Sequence, residues 1–383
     1  MGVLDGIKVI ELAGIGPGPF AGMVLADLGA DVLRIDRASA GRGLKIGDAT
    51  TDVLTRSRRS VAVDLKNPEG IETVLDLVQT ADVLLEGFRP GVVERLGLGP
   101  QVCHERNPGL VFGRMTGWGQ DGPNAQRAGH DLTYLATAGV VDHVEGPDGS
   151  PGIPMNLIGD FGGGGMLLVV GILGALVERA GSGKGQVVDA AIVDGGALQM
   201  AMIHGMRAGG SWPNPRGQNT LDGGAPFYET YACADGKYLA VGALEPQFYA
   251  ALMEGLGLAD QDIAANQWDV ARWPEFHAQL TELFATRTRD EWAADLEPTE
   301  ACVAAILSME EAAQHPHIAA RGTLVDQFGV RQPAPAPRFS RSQNRVPTAP
   351  RAPGQDSVAA LGDWGLGAER IEKLRAAGVI HQP

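Results

Sequence analysis

The sequence predicts an α/β fold, with a Rossmann-like parallel-sheet large domain joined to a smaller α+β domain. Three observations predict it. Short apolar runs alternate with helix-start and turn signals through roughly the first 190 residues, and strands that alternate with helices pair in parallel under helices on both faces. Beyond residue 225 the pattern changes, and two strand-like runs meet at Asp235-Gly236, a tight-hairpin signal. The 383 residues also exceed one simple core and suit two domains.

Ile7-Lys8-Val9-Ile10-Glu11-Leu12 reads as the first strand, followed by a Gly/Pro turn from Gly14 to Pro19 and a helix from Phe20 to Leu28. Asp31 to Asp36 and Val61 to Asp64 read as the next strands. Asn67-Pro68-Glu69 starts a helix, with Asn as N-cap and Pro at the first helical position. Strands follow at Ala81–Glu86 and Leu110–Met115. A long helix from Gly162 to Arg179 is apolar on nearly all sides, a pattern of helices buried in a core or at an interface. Gly195–Arg207 reads as helical, and Gly209–Gly224 as a polar, Gly-rich linker. In the second domain, strands at Phe227–Cys233 and Lys237–Ala243 precede helices at Gln247–Leu256 and Trp273–Thr286. The expected division is a large Rossmann-like domain at 1–190, a linker at 191–224, the small domain at 225–320 and a return linker at 321–333. Residues 334–383, with a Pro-rich strap and a final helix at Gly367–Ala377, then complete the large domain.

Composition narrows the function. A net charge of −15 argues against nucleic acid or anionic membrane as a partner. Arg34, Arg37, Arg56, Arg58, Arg59, Lys66, Arg89 and Arg95 nevertheless make the first hundred residues locally basic, which leaves an anionic small ligand open. Three widely spaced cysteines without a CxxC pair fit a reducing compartment and neither a disulfide scaffold nor a zinc site. The start lacks a signal-peptide pattern, Gly6 breaks a myristoylation motif, and the end is not a peroxisomal address, so the expected location is cytoplasmic. The most apolar stretch, Met166–Val177, is too short to span a bilayer.

Gly14-Ile15-Gly16-Pro17-Gly18-Pro19 imitates a dinucleotide fingerprint, with Asp36 at the end of the next strand as a ribose ligand. Pro19 stands where the third glycine belongs, and Pro17 removes a backbone N–H from the turn. A nucleotide-like ligand held by Arg37 and its basic neighbours is the better expectation.

Three corners carry ionisable groups beside glycines or helix starts: Gly129-His130-Asp131, Gly159-Asp160-Phe161 and Gly242-Ala243-Leu244-Glu245-Pro246. An imidazole and two carboxylates suit the movement of a proton on and off carbon. The N–H groups that open a helix at His130-Asp131 could receive a thioester oxygen as it gains enolate charge. The simpler reading is a helix cap, for which Asp is well suited. For Asp160, the helix dipole is a sufficient structural reason, while apolar neighbours would raise its pKa toward a useful range. Glu245 alone is a charged residue at a strand end.

These segments resemble the family III CoA-transferase superfamily, and within it the racemases of 2-methylacyl-CoA thioesters. The likeness runs end to end. It includes Val9-Ile10-Glu11-Leu12-Ala13-Gly14, Glu86-Gly87-Phe88-Arg89-Pro90-Gly91, Thr116-Gly117-Trp118-Gly119-Gln120, Gly183-Lys184-Gly185-Gln186-Val187-Val188-Asp189-Ala190 and Pro337-Arg338-Phe339-Ser340. Ala304 departs from it where members often carry Pro. The combination of His130, Asp160 and Glu245 matches the racemase branch. The resemblance implies a two-base mechanism, with His130, oriented by Glu245, on one face of the α-carbon and Asp160 on the other. It implies an Asp131 backbone N–H on the enolate oxygen. It also implies an interlocked homodimer with the site at the subunit interface, an acyl-CoA substrate, and no separate cofactor, CoA being part of the substrate. Arg37, Arg59, Lys66, Arg89 and Arg95 are the candidates for the CoA phosphates, with Gly129 and Tyr134 beside the catalytic group. The rival within the superfamily is a CoA transferase with Asp160 as nucleophile, a chemistry with no use for His130 or Glu245. A non-catalytic CoA-binding protein leaves all three groups without a task.

Overall fold

β1 (Lys8–Leu12), β2 (Asp31–Arg37), β3 (Arg59–Val63), β4 (Val83–Glu86), β5 (Val111–Thr116) and β6 (Val187–Ala191) form one parallel sheet. A two-residue strand, Ile380–His381, pairs antiparallel with β3 at one edge. The spatial order runs from that edge through β3, β2, β1, β4 and β5 to β6. The computed structural model describes residues 1–38, 48–146 and 148–383. By its contacts the chain falls into two compact units. The first comprises Met1–Ala138, Met155–Gln199 and Gly322–Pro383, and the second Gly139–Pro154 and Met200–Arg321. The segment Gly139–Pro154, read in the sequence as part of the large domain, thus packs with the smaller unit.

Both faces of the first unit's sheet are apolar and covered. Ile10, Leu33, Val61 and Leu84 face a cluster with Val74, Leu77 and Trp364, while Val9, Val32, Leu85 and Val111 face Leu25, Leu168 and Ile172. The first helix begins at Pro17 rather than Phe20, because Pro needs no N–H at the opening turn and has its φ already set. Asn67 caps the Pro68–Val78 helix, its side chain accepting the Glu69 N–H at 3.0 Å. Two buried ion pairs tie the sheet's strands together: Arg58, just before β3, to Glu11 on β1, and Arg114 Nε on β5 to Glu86 on β4 at 2.9 Å. Gly22 lets the first helix pass over the former, since a Cβ there would lie 2.4 Å from Glu11 Oε2.

The long apolar helix is longer than the sequence indicated and is wound in two ways. Ile158–Met166 is π-helical, and an α-helix then runs Leu167–Ser182. The glycines are packing contacts inside the helix. A Cβ on Gly165 would lie 2.8 Å from the Pro17 carbonyl, and one on Gly195 would lie 1.9 Å from the Gly163 carbonyl. The Ile192–Gln199 helix therefore crosses this segment backbone to backbone. By length and composition, Met155–Ser182 could cross a membrane. Its Leu168 and Ile172 instead rest on Gly113 of β5, whereas Val170 and Val177 are exposed.

In the second unit, β7 (Tyr228–Ala232), β8 (Tyr238–Gly242) and β9 (Val303–Ala305) form an antiparallel sheet, with Gly236 at φ 74° in the expected hairpin. Its core is aromatic, built on Phe227, Tyr231, Tyr249, Trp273, Phe276, Phe284 and Trp292. Back in the first unit, Leu324–Gln327 and Val330–Pro333 pair as a hairpin in part of the stretch read as a return linker.

Candidate active site

The parallel sheet reverses its strand order at β1, which lies between β2 and β4. Ligands of open α/β sheets bind at the carboxyl ends of strands beside such a switch point. The turn after β1 contributes Gly16, whose φ of 70° and ψ of −120° suit glycine. The turn after β4 carries Arg89, and is held by Glu86, which accepts the Phe88 N–H at 2.7 Å. Gly117 follows β5, and a Cβ on it would lie 2.0 Å from Tyr134 Cζ. Gly129 closes on the same ring at 2.5 Å, and Trp118 meets it edge-on with centroids 4.8 Å apart. Tyr134 is thus fixed between two glycines.

Asp160 comes to this edge on the first turn of the π-helical segment, where a Cβ on Gly16 would lie 3.3 Å from Asp160 Oδ2. Burial raises the Asp160 pKa; the Asn156 side chain, 3.4 Å away, opposes the rise, the Asp131 charge adds to it, and His130 opposes it. The imidazole therefore acts on the same carboxyl. Tyr134 is pushed up by burial and by Asp160, against the pull of Arg89. His130 is exposed and is the N-cap of the Asp131–Thr137 helix, its N–H donating to Thr133 Oγ1 at 3.0 Å.

Asp131 corrects the simple capping reading. It is the first helical residue rather than the N-cap, and its buried carboxylate reaches a different helix. Oδ1 accepts the Asp160 N–H at 2.7 Å, and the Gly159 N–H also bonds this carboxylate. Burial raises its pKa against those two bonds. Gly159 must lack a side chain, because a Cβ would lie 2.1 Å from Asp131 Oδ1. A carboxylate, a half-buried acid and an imidazole at one edge of the sheet make an acid–base site able to exchange a proton with a bound carbon acid.

The family model described as CoA-transferase family III matches residues 4–357. The chain belongs to this family. It is 43% identical over 381 residues to the alpha-methylacyl-CoA racemase of Mus musculus, covering 99% of this chain and 97% of that one. It is 41% identical to the Homo sapiens protein of the same name, covering 98% and 97%. A CAIB/BAIF family protein from Brucella suis superposes with a TM-score of 0.80 at 28% identity, over 95% of this chain and 99% of the other.

The remaining candidates separate. Arg37 ends β2, Lys66 follows β3, and Arg89 and Arg95 follow β4; all four are exposed on the carboxyl side of their strands. Arg59 is not brought to this edge. It opens β3 at the opposite, amino end of the sheet, with salt bridges to Asp31 at 3.1 Å and Asp363 at 2.7 Å. Arg34, Arg56 and Arg58 are buried in ion pairs with Asp36, Asp27 and Glu11, so three of the eight residues of the apparent basic cluster are internal. Asp36 is taken up by Arg34 Nε at 2.7 Å and the Ser60 hydroxyl at 2.5 Å, which ends the ribose reading. Glu245 is exposed in the second unit at the N-cap of the Pro246–Gly255 helix, and its charge helps raise the Cys302 thiol after burial. Sequence reasoning missed the Asp131 side chain and the packing roles of Gly16, Gly117 and Gly159. The recurrence of glycine at turns around one acid was the available signal.

Proposed function

We propose that this chain is an α-methylacyl-CoA racemase that interconverts (2R)- and (2S)-2-methylacyl-CoA through an enolate. The observation that carries the reading is the convergence of His130 and Asp160: the carboxylate of Asp131, the residue after His130, accepts the Asp160 main-chain N–H at 2.7 Å, beside an Asp160 carboxyl whose pKa burial has raised. Inversion needs a base on one face of the α-carbon and an acid on the other. One group removes the α-proton, negative charge moves to the thioester oxygen, and the opposite group returns a proton to the other face. The Asp131 backbone N–H, at a helix start, is the donor for that oxygen. Glu245 of a second copy orients the His130 imidazole. The exposed apolar side chains of the long helix, Met166, Val170 and Val177, support a homodimer that covers them. Arg37, Lys66, Arg89 and Arg95 are the residues for the CoA phosphates, with no cofactor beyond the substrate's own CoA. The names of the mouse and human relatives support the same activity.

The test is a single-isomer 2-methylacyl-CoA incubated with the protein in D₂O without an acceptor acid. Deuterium at the α-carbon together with loss of optical purity is the expected result. Absence of exchange, with CoA moving to an added carboxylic acid, would replace this reading by a transferase with Asp160 as nucleophile.

A further inference from the structure

We infer that the Asp131 carboxylate is a positioning residue: it fixes the Asp160 carboxyl relative to His130, apart from any role of the Asp131 backbone. This inference rests on the racemase reading. Asp131 is the covalent neighbour of His130 and accepts the main-chain N–H of Asp160 at 2.7 Å and that of Gly159. Those N–H groups belong to the first turn of the segment that carries Asp160, where a helix leaves its donors without internal partners. A carboxylate held there takes charge-assisted hydrogen bonds and favours the positive end of the helix. One side chain therefore links the backbone at both bases over a span of one residue on either side.

The contact has no slack. Asp131 is 9% exposed, and a single added carbon at Gly159 would sit 2.1 Å from Oδ1. On the far side, Asp160 Oδ2 lies close to Gly16, where an added Cβ would be 3.3 Å away. The Asp160 carboxyl is held from the Asp131 side through its backbone and bounded by the β1 turn at its tip. A shift of about 1 Å in a reacting group can cost roughly a hundredfold in rate. Because His130 sits on its own helix cap, with its N–H on Thr133, loosening the Asp131 contact should displace Asp160 and leave His130 in place. The two faces of the substrate would then respond differently.

Asp131→Asn is the test variant. The amide oxygen can still accept the Asp160 N–H, but without the negative charge that strengthens the bonds to the two main-chain donors. Each pure isomer of a 2-methylacyl-CoA is incubated in D₂O with wild type and variant, and α-deuterium and inversion are followed separately. The isomer whose proton His130 removes should keep exchanging, now with retention, so its ratio of exchange to inversion rises at least tenfold. The other isomer, whose proton Asp160 removes, should lose exchange and inversion together by tenfold or more. Gly159→Ala, which keeps the carboxylate but pushes a methyl into it, should give the same asymmetry, and provides a second measurement if Asp131→Asn fails to fold. Equal losses from both isomers, or unchanged ratios in a folded variant, would overturn the positioning role. Wild-type protein that neither exchanges nor inverts would overturn the racemase reading itself.

Discussion

Arg58→Ala offers a sharp test of how the sheet is held beneath the site. Arg58 and Glu11 are both 0% exposed, and Arg58 Nη1 also donates to the Pro19 carbonyl at 3.0 Å. Removing one partner of a buried pair leaves an uncompensated charge, at about 3–5 kcal/mol. Burial already raises the Glu11 pKa, and Arg58 is the largest influence holding it down. In the variant that restraint is gone, so Glu11 can escape part of the penalty by taking up a proton. Each pH unit then carries about 1.4 kcal/mol. The sign follows from linkage. A carboxyl raised in the folded state contributes stability below its unfolded pKa, and that contribution is lost as pH rises through the folded pKa. The gap between wild type and Arg58→Ala should therefore narrow on acidification and widen toward neutrality. Urea unfolding of both proteins across about pH 5 to 8 would measure it. A loss under about 1 kcal/mol at neutral pH, or a gap that does not change with pH, would refute the reasoning. The paired replacement Glu11→Leu with Arg58→Met should be milder than Arg58→Ala, since neither charge is then stranded.

Other perturbations address the site directly. His130→Ala and Asp160→Ala should each lower racemisation by roughly a hundredfold or more with the fold intact by circular dichroism; wild-type turnover in either would remove that residue from the mechanism. Glu245→Ala should be milder, because it orients the imidazole and does not carry the proton, and a loss greater than that of His130→Ala would reverse the two roles. Gly16→Ala should cost about 1–3 kcal/mol in thermal stability for its backbone conformation, with slower turnover, since the methyl crowds Asp160 Oδ2; an unchanged melting temperature would contradict the strain. Asn156 holds the Asp160 pKa down, so Asn156→Ala should raise it. The acid limb for the direction in which Asp160 is the base should then move to higher pH, and a shift the other way would count against Asp160 as that base.

Much of the first unit was legible because its strands are buried on both faces and read as largely apolar runs such as Leu33 with its neighbours Val32 and Ile35, and the unbroken Val83–Leu85. The edges were not. β6 is half-exposed, with Val187 at 42%, and Ile380–His381 is a two-residue strand, so neither carries a pattern of its own. His130, Asp160 and Glu245 stood out as ionisable groups beside glycine or Pro, but the contact made by the Asp131 side chain did not. Local sequence offers the cap of its own helix, whereas the actual partner lies 29 residues away on another. The basic cluster was only partly legible, for a related reason. Linear density of arginine does not distinguish Arg56 and Arg58, which point into the core, from Arg89, which stays at the crevice. Pairing across strands decides that, and it is a property of register.

The glycine-rich π-helical turn also bears on the order in which this protein assembles. Five of the nine residues from Ile158 to Met166 are glycine, and relative to alanine such a segment forgoes about 5 kcal/mol of intrinsic helix propensity. It has little reason to be helical alone. Its shape comes from docking, on Pro17 and Phe20 before it in the chain and on Ile192 and Gly195 after it. The segment that carries Asp160 can settle only after both flanking helices are in place. The acid–base machinery should therefore be among the last structure to form and the first to open, and its amides among the earliest of the first unit to exchange with solvent.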